Sequence, residues 1–262
     1  MKHYLKKSLL FTIIFSLSII SLQISANDTV YSPKMKFDIY VKAWGLTAYG
    51  DMEIIGKTHI DGREVLLVRS RSIDVAGILG FIAKFLRVYK HSNTFDTYID
   101  LETLLPVRYE VYKLEKNGSK KMTEHVLFDR KLNRVISYDD KSTILNNVPS
   151  NIYDTFSGFL GLIHRFNKED IFIGKKYDFD IYMYREVGHI SAIVTSQKVI
   201  DGKKTYVIEI NKLPDIFKYP ASVKFEIANY NEKLILPTKG ECIIDIPVFS
   251  DVTLKGELHK IK

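Results

Sequence analysis

The chain has 262 residues, 46% of them hydrophobic and 26% charged, a globular composition with room for one large domain or two small ones. Its formal charge of +7 is scattered among acids, which excludes a clustered nucleic-acid footprint and leaves weak attraction to anionic lipid head groups open. Tyr (16) and Phe (15) are abundant, and short runs of aromatic and branched residues favour strands, so mainly β structure is expected.

The chain opens with a basic "MKHYLKK" followed by the apolar run Leu9 to Leu22 and a small-residue site ending at Ala26. This reads as a signal peptide over 1–26, too short in its apolar core for a membrane span; an uncleaved anchor is the alternative. Cleavage would remove Lys2, Lys6 and Lys7 and no acid, leaving +4. No second long apolar run follows, so the mature chain is expected to be soluble and periplasmic, with no transmembrane segment. Cys242 is the one cysteine. It excludes an intramolecular disulfide and reads as a buried, inert thiol.

Three landmarks then occur twice in the same order. "FDIY" stands at Phe37 and Phe179, "HIDGREVLLV" from His59 is echoed by "VIDGKKTYVI" from Val199, and a proline-bearing turn at Pro106 by another at Pro237. Colinear echoes point to an internal duplication. Each copy reads as an antiparallel meander, with glycine turns at Gly45 and Gly50 or Gly188, then an Asp-Gly hairpin at Asp61-Gly62 or Asp201-Gly202. In "YIDLETLLPV", Asp100 can bond the backbone of its own turn and Pro106 fixes φ beyond it. Asn229 and Asn231 take the turn role in the second copy.

The copies differ before the fourth strand. The second has a short link, whereas the first inserts an apolar stretch over 73–90, with Ile78, Leu79, Ile82 and Phe85 at helical spacing. A second helix is expected over 151–166, capped by Ser150 or Asn151 with Asp154 in its first turn. Phe156, Phe159, Leu160 and Ile163 form its stripe. Such stripes pack against a sheet, or both helices line a cavity for a lipid-like ligand.

Catalytic chemistry is not legible. The histidines are spread, with no metal-ligand spacing, Ser157 lacks the first glycine of a nucleophile elbow, and no phosphate-cradling loop precedes a helix. Asp154, Ser157 and Arg165 read as a helix cap and anchor. Asp38 and Asp180 read as strand-face acids. No cofactor is expected.

The segments "GLTAYGDMEI", "IDGREVLLV", "FDTYIDLETLLPVRYEVYK" and "YDTFSGFLGLIHRF" together resemble the bacterial Domain of Unknown Function family 3108, exported envelope proteins of this length and order. The resemblance rests on Gly45 and Gly50, the Asp100 to Pro106 turn, and the helix carrying Asp154, Ser157 and Arg165. It implies no assigned chemistry. The turn motif is also similar to that of the periplasmic lipoprotein carriers, whose curved half-barrel holds acyl chains under helices; the duplicated β unit departs from them. The expectation is therefore two antiparallel β-meander pseudo-repeats forming a curved sheet or half-barrel, with one or two short apolar helices packed against it. Its units are 27–150, the linking helix 151–166, and 167–262. The expected role is a non-catalytic envelope protein that binds an apolar ligand, or an interaction module that docks an envelope partner through its insertion.

Overall fold

The computed structural model describes residues 36–43, 46–72, 93–115, 117–138, 142–183, 185–212, 221–231, 234–246 and 250–257. The signal segment, Gly45 and the apolar insertion lie outside them. Among the described residues, fourteen strands form one antiparallel sheet in the order β8-β7-β6-β5-β4-β3-β2-β1-β14-β13-β12-β11-β10-β9. The first unit contributes β1 (Lys36–Ala43), β2 (Leu46–Ile60), β3 (Arg63–Ser72), β4 (Asn93–Asp100), β5 (Pro106–Leu114), β6 (Lys120–Asp129), β7 (Arg134–Tyr138) and β8 (Thr143–Asn146). After helix α1 (Thr155–Lys168) come β9 (Lys176–Met183), β10 (Glu186–Ile200), β11 (Lys203–Lys212), β12 (Ala221–Asn231), β13 (Leu234–Ile246) and β14 (Ser250–Glu257). The end strands β8 and β9 do not pair with each other, so the hydrogen-bonded sheet is open.

The duplication is written in the ladder. β2 and β10 are both 15 residues long, and β3 and β11 both 10. β2 slips register against β3 between Ile54 and Gly56, and β10 slips against β11 between Val194 and Ser196. Both hairpins close on an Asp-Gly pair with positive φ at each residue, 50° and 79° at Asp61-Gly62, 49° and 73° at Asp201-Gly202. These are the mirror-image turns whose twist matches that of paired strands. Pro106 stands opposite Ile99 and Pro237 opposite Ile227, each beside a register shift. A bulge is where a residue without N–H does least harm to the ladder.

Two turn expectations are corrected. Gly50 and Gly188 lie within strands, facing the isoleucine of each FDIY element, Ile39 and Ile181. The reversals instead fall between Ala43 and Leu46 and between Met183 and Glu186. Asn229 likewise sits in the β12 ladder opposite Ile235, because β12 continues to Asn231.

The helix also starts later than its apolar run suggests. Tyr153 N–H donates to the Asp180 carbonyl (2.9 Å) and the Tyr153 carbonyl accepts from Tyr182 N–H (2.6 Å), a parallel bridge onto β9. That pairing holds residues before Asp154 extended, so Asp154, not Ser150 or Asn151, is the N-cap. From there α1 crosses the inner face of the sheet. Phe156, Phe159, Leu160 and Ile163 pack with Met52, Ile54, Leu66, Val68, Phe95, Ile99, Leu104 and Val111 of the first unit and Leu236 of the second. Phe166 meets Tyr177 edge-on at 5.0 Å and Phe225 at 6.3 Å. Each such side chain contributes about 1.5–3 kcal/mol on burial, so the helix serves as core for both units. At its end Asn167 donates to Ile235 O (2.9 Å) and accepts from Ile235 N–H (2.7 Å), fastening the start of β13 beyond Lys239, the first β13 residue paired with β14. Among the described residues, no helix is long and apolar enough to cross a membrane.

Two glycines show how tightly the helix is held. A Cβ at Gly161 would stand 2.9 Å from the Tyr153 ring, while one at Gly158 would make ordinary contacts from 3.4 Å. The Tyr153 ring is lodged edge-on to Phe179 at 6.2 Å, and its backbone is bonded to β9, so it has little freedom to move aside. Gly161→Ala is expected to destabilise by about 1–3 kcal/mol through overpacking. Gly158→Ala is expected to be neutral or to stabilise by up to about 1 kcal/mol through helix propensity. Urea midpoints in the reverse order would contradict this packing.

Candidate functional site

The polar centre of the molecule is the seat of α1. Asp154 is buried, and its Oδ1 accepts from Phe156 N–H (2.7 Å) and Ser157 N–H (3.1 Å). Ser157 Oγ lies 3.1 Å from Oδ2 and accepts from Asp154 N–H at 3.0 Å, a reciprocal capping box. Thr97 of β4 reaches Oδ1 at 3.5 Å. Burial pushes the Asp154 carboxyl up to about 6, against the downward pull of its hydrogen bonds. Beside it the Arg130 guanidinium donates to Ile152 O (2.8 Å), Pro106 O (3.1 Å) and Ser150 O. Burial brings this guanidinium down to about 10, while the nearby Asp154 charge supports its protonated form.

The expected turn chemistry at Asp100 is present and adjoins this seat. Asp100 Oδ1 accepts from Glu102 N–H (3.1 Å), Thr103 N–H (2.8 Å) and Thr103 Oγ1 (2.8 Å), and Arg63 pairs with its other oxygen. Burial raises this carboxyl, but the bonds from Thr103 and Arg63 outweigh it and the net shift is downward. Leu104 takes a left-handed conformation (φ 57°) inside the turn and is itself buried, so an apolar anchor holds what a glycine would usually permit.

The other sequence candidates do not converge. Arg165 sits near the far end of α1, paired with Glu169 at 2.8 Å and lying over the Tyr177 ring at 4.9 Å, well removed from Asp154 and Ser157. Phe156, Phe159, Leu160 and Ile163 are at most 8% exposed, so the sheet takes up the surfaces they would offer a ligand. Asp61, Gly62, Asp201 and Gly202 are turn residues, and Pro106 and Pro237 bulge residues. Ile78, Leu79, Ile82, Phe85 and Gly45 lie outside the described residues.

Sequence reasoning missed a polar row on the opposite face of the sheet. Glu110 is 4% exposed and accepts from Tyr112 OH (2.7 Å) and Tyr98 OH (3.1 Å). Arg108 stands 3.2 Å and His125 3.6 Å from its other oxygen. Beside it Arg69 grips Asp96 with two bonds of 2.7 Å. Burial pushes Tyr112 and Tyr98 up, reinforced by the Glu110 charge, and burial pushes His125 down. The spacing Arg108, Glu110, Tyr112 does mark one strand face, but their partners lie on β4 and β6. With two tyrosine hydroxyls bonded to one oxygen and the Arg108 and His125 side chains beside the other, Glu110 ties three strands together. Near the sheet's ends, Glu124 of β6 lies near Ser137 (3.5 Å) and in the field of Arg185, its carboxyl raised by burial. On β9 and β10, His189 lies between Asp180 (2.9 Å) and Asp178 (3.5 Å). No group of three or more His, Cys, Asp or Glu among the described residues is placed to hold a metal ion.

The family model described as "Protein of unknown function (DUF3108)" matches residues 36–249. The chain belongs to the DUF3108 family. The match begins with β1 and runs through the helix to just before β14. A search of curated proteins finds no match. Among solved structures, the DUF3108 chain is similar to a "Beta-barrel-like Protein of Domain of Unknown Function DUF1849 from Brucella abortus", at 12% identity and TM-score 0.48, covering 86% of this chain and 94% of that one.

The raised Asp154 carboxyl carries a sign. A carboxyl that holds its proton more tightly when folded favours the folded state at low pH. That contribution is lost as pH rises from about 4 to about 6. Asp154→Asn keeps an acceptor for the cap without the charge, so the stability of wild type relative to this variant should fall across that window and level off above it. Asp154→Ala should cost about 0.5–2 kcal/mol or more at neutral pH, from loss of the cap. Denaturant titrations from pH 4 to pH 8 test both, and a difference rising with pH would refute the assignment.

Proposed function

We propose that this DUF3108 chain is an exported, non-catalytic protein of the cell envelope, periplasmic after cleavage near Ala26, that binds a lipid-like or otherwise apolar ligand through its insertion at 73–90. The observation that carries the reading is an asymmetry between units whose first five strands correspond in order, β1–β5 and β9–β13. The connection from β11 to β12 takes eight residues (213–220), whereas that from β3 to β4 takes twenty (73–92). Both join adjacent antiparallel strands, so the repeat itself needs no such length. The extra residues include Ile78, Leu79, Ile82 and Phe85, a greasy set that needs a partner. The apolar stripe of α1 is already used inside the sheet, so the ligand-binding role falls to the insertion alone. Asp154 and Glu110 are committed to bonds within the fold, which supports a binding role over a hydrolytic one.

Native mass spectrometry of the protein recovered from its own periplasm, followed by lipid extraction, tests this directly. A stoichiometric apolar adduct is expected, and it should be lost in Ile78→Lys and Phe85→Glu while thermal stability is kept. A clean apo mass would turn the insertion into a docking surface for an envelope protein. An adduct unaffected by both substitutions would place the ligand elsewhere.

A further inference from the structure

Neighbouring strands alternate in direction, and six steps separate β2 from β10 in the sheet. The two therefore run the same way, and both Asp-Gly hairpins project from one rim, opposite the ends of β3 and β4 that carry the insertion. The two hairpins differ in what they present. In the first unit Ile60 is buried at 6% exposure, and the turn continues into Arg63 and Glu64, of opposite charge. In the second, Val199 is 69% and Ile200 37% exposed, and the turn continues into the exposed Lys203 and Lys204, while Lys198 before it is paired with Glu226 at 2.6 Å.

A loop from α1 to β9 is bonded to β10, the strand that leads to this second hairpin. Gly174 N–H donates to Val194 O (2.8 Å) and Val194 N–H to Lys175 O (3.0 Å), which lays the loop along the part of β10 that runs out to Val199. Its tip presents Phe172 at 55% and Ile173 at 61% exposure. The tip is held in shape by a turn bond from Lys175 N–H to Phe172 O (3.0 Å), by Gly174 at φ 89°, and by Lys175 Nζ at 5.7 Å from the Phe172 ring. Exposed acids on the two tips are Asp170 and Asp201.

We propose that this rim docks on an anionic phospholipid bilayer, with Phe172, Ile173, Val199 and Ile200 entering the head-group layer and Lys203 and Lys204 contacting lipid phosphates. Large apolar side chains held in water on fixed turns mark an interaction surface. A lysine collar around them fits a surface that is greasy below and negative above. A protein groove of matching shape has no such charge requirement. The surface is separate from the insertion and does not depend on the ligand assigned to it.

Co-sedimentation of the full mature chain with vesicles decides it. Binding is expected to vesicles of phosphatidylcholine mixed with phosphatidylglycerol, to be weak on phosphatidylcholine alone, and to fall with added salt. Phe172→Ser with Ile173→Ser, and separately Lys203→Gln with Lys204→Gln, should each lower the bound fraction about tenfold. All four residues are exposed, so melting temperatures should stay near that of wild type. Leu114→Ser with Met122→Ser removes exposed apolar residues from the opposite rim and should leave binding unchanged. Failure of the wild type to bind anionic vesicles would overturn the proposal, as would equal binding by the rim variants or an equal loss in the opposite-rim variant. None of these results would alter the mass of an adduct held by the insertion, so the two assignments fail separately.

Discussion

Tyr153 gives its N–H to Asp180 and takes that of Tyr182, and one residue later the chain turns into α1. The pairing sits on β9, the last strand of the sheet, whose outer edge would otherwise offer a row of unpaired backbone groups. The segment just before it is tied to the first unit: Val148 N–H donates to Asn133 O (2.9 Å), Arg130 holds the carbonyls of Ser150 and Ile152, and Ile152 packs with Val126, Phe128, Val135 and Tyr182. A few residues thus bind both ends of the sheet without closing its hydrogen-bonded ladder. The helix that follows is then aimed across the interior, where its apolar stripe finds strands of both units. Without this anchor the stripe would have no fixed register, and the two meanders would share only the β1–β14 seam.

Polar burial is handled differently on the two faces. Inside, among the described residues, Asp154 is bonded by amides and hydroxyls and lies in the field of Arg130, and desolvation dominates, so its proton is held more tightly. On the outer face, Asp96 and Glu110 are as buried as Asp154 yet face Arg69 and Arg108 directly. Replacing water by a guanidinium offsets most of the desolvation cost of a carboxylate. The outer row specifies register, since a slip of one residue would separate every pair. The inner group specifies where a helix begins.

Local signals were the legible ones. The Asp-Gly turns, the Asp100 turn, both prolines and the duplicated order of strands follow from residues close in sequence, where φ preference and side-chain reach decide the outcome. Gly50 and Gly188 misled because a glycine opposite a strand residue looks the same in sequence as a glycine in a turn. The start of α1 misled for a different reason. Ser150, Asn151 and Asp154 are all competent caps, and the choice among them is made by β9, which lies further along the chain. The Glu110 row was hidden because its members lie on separate strands. Each reads alone as an ordinary strand-face residue until the register places them side by side.

Duplication constrains what such a chain can change. The bulges, turn prolines and Asp-Gly hairpins are shared because they are conditions for a long antiparallel sheet to twist and stay in register. Divergence is then cheapest at strand ends, where an added residue or an exposed side chain disturbs no ladder. Two differences fall there. One rim of the first unit has twenty residues between β3 and β4 where the second unit has eight between β11 and β12, and the opposite rim of the second has an apolar, lysine-flanked tip. Among the described residues, one helix fills the part of the interior that both units line. Features at the ends of a scaffold that the scaffold does not need are where binding is to be sought, and here they lie at opposite ends of the same strands.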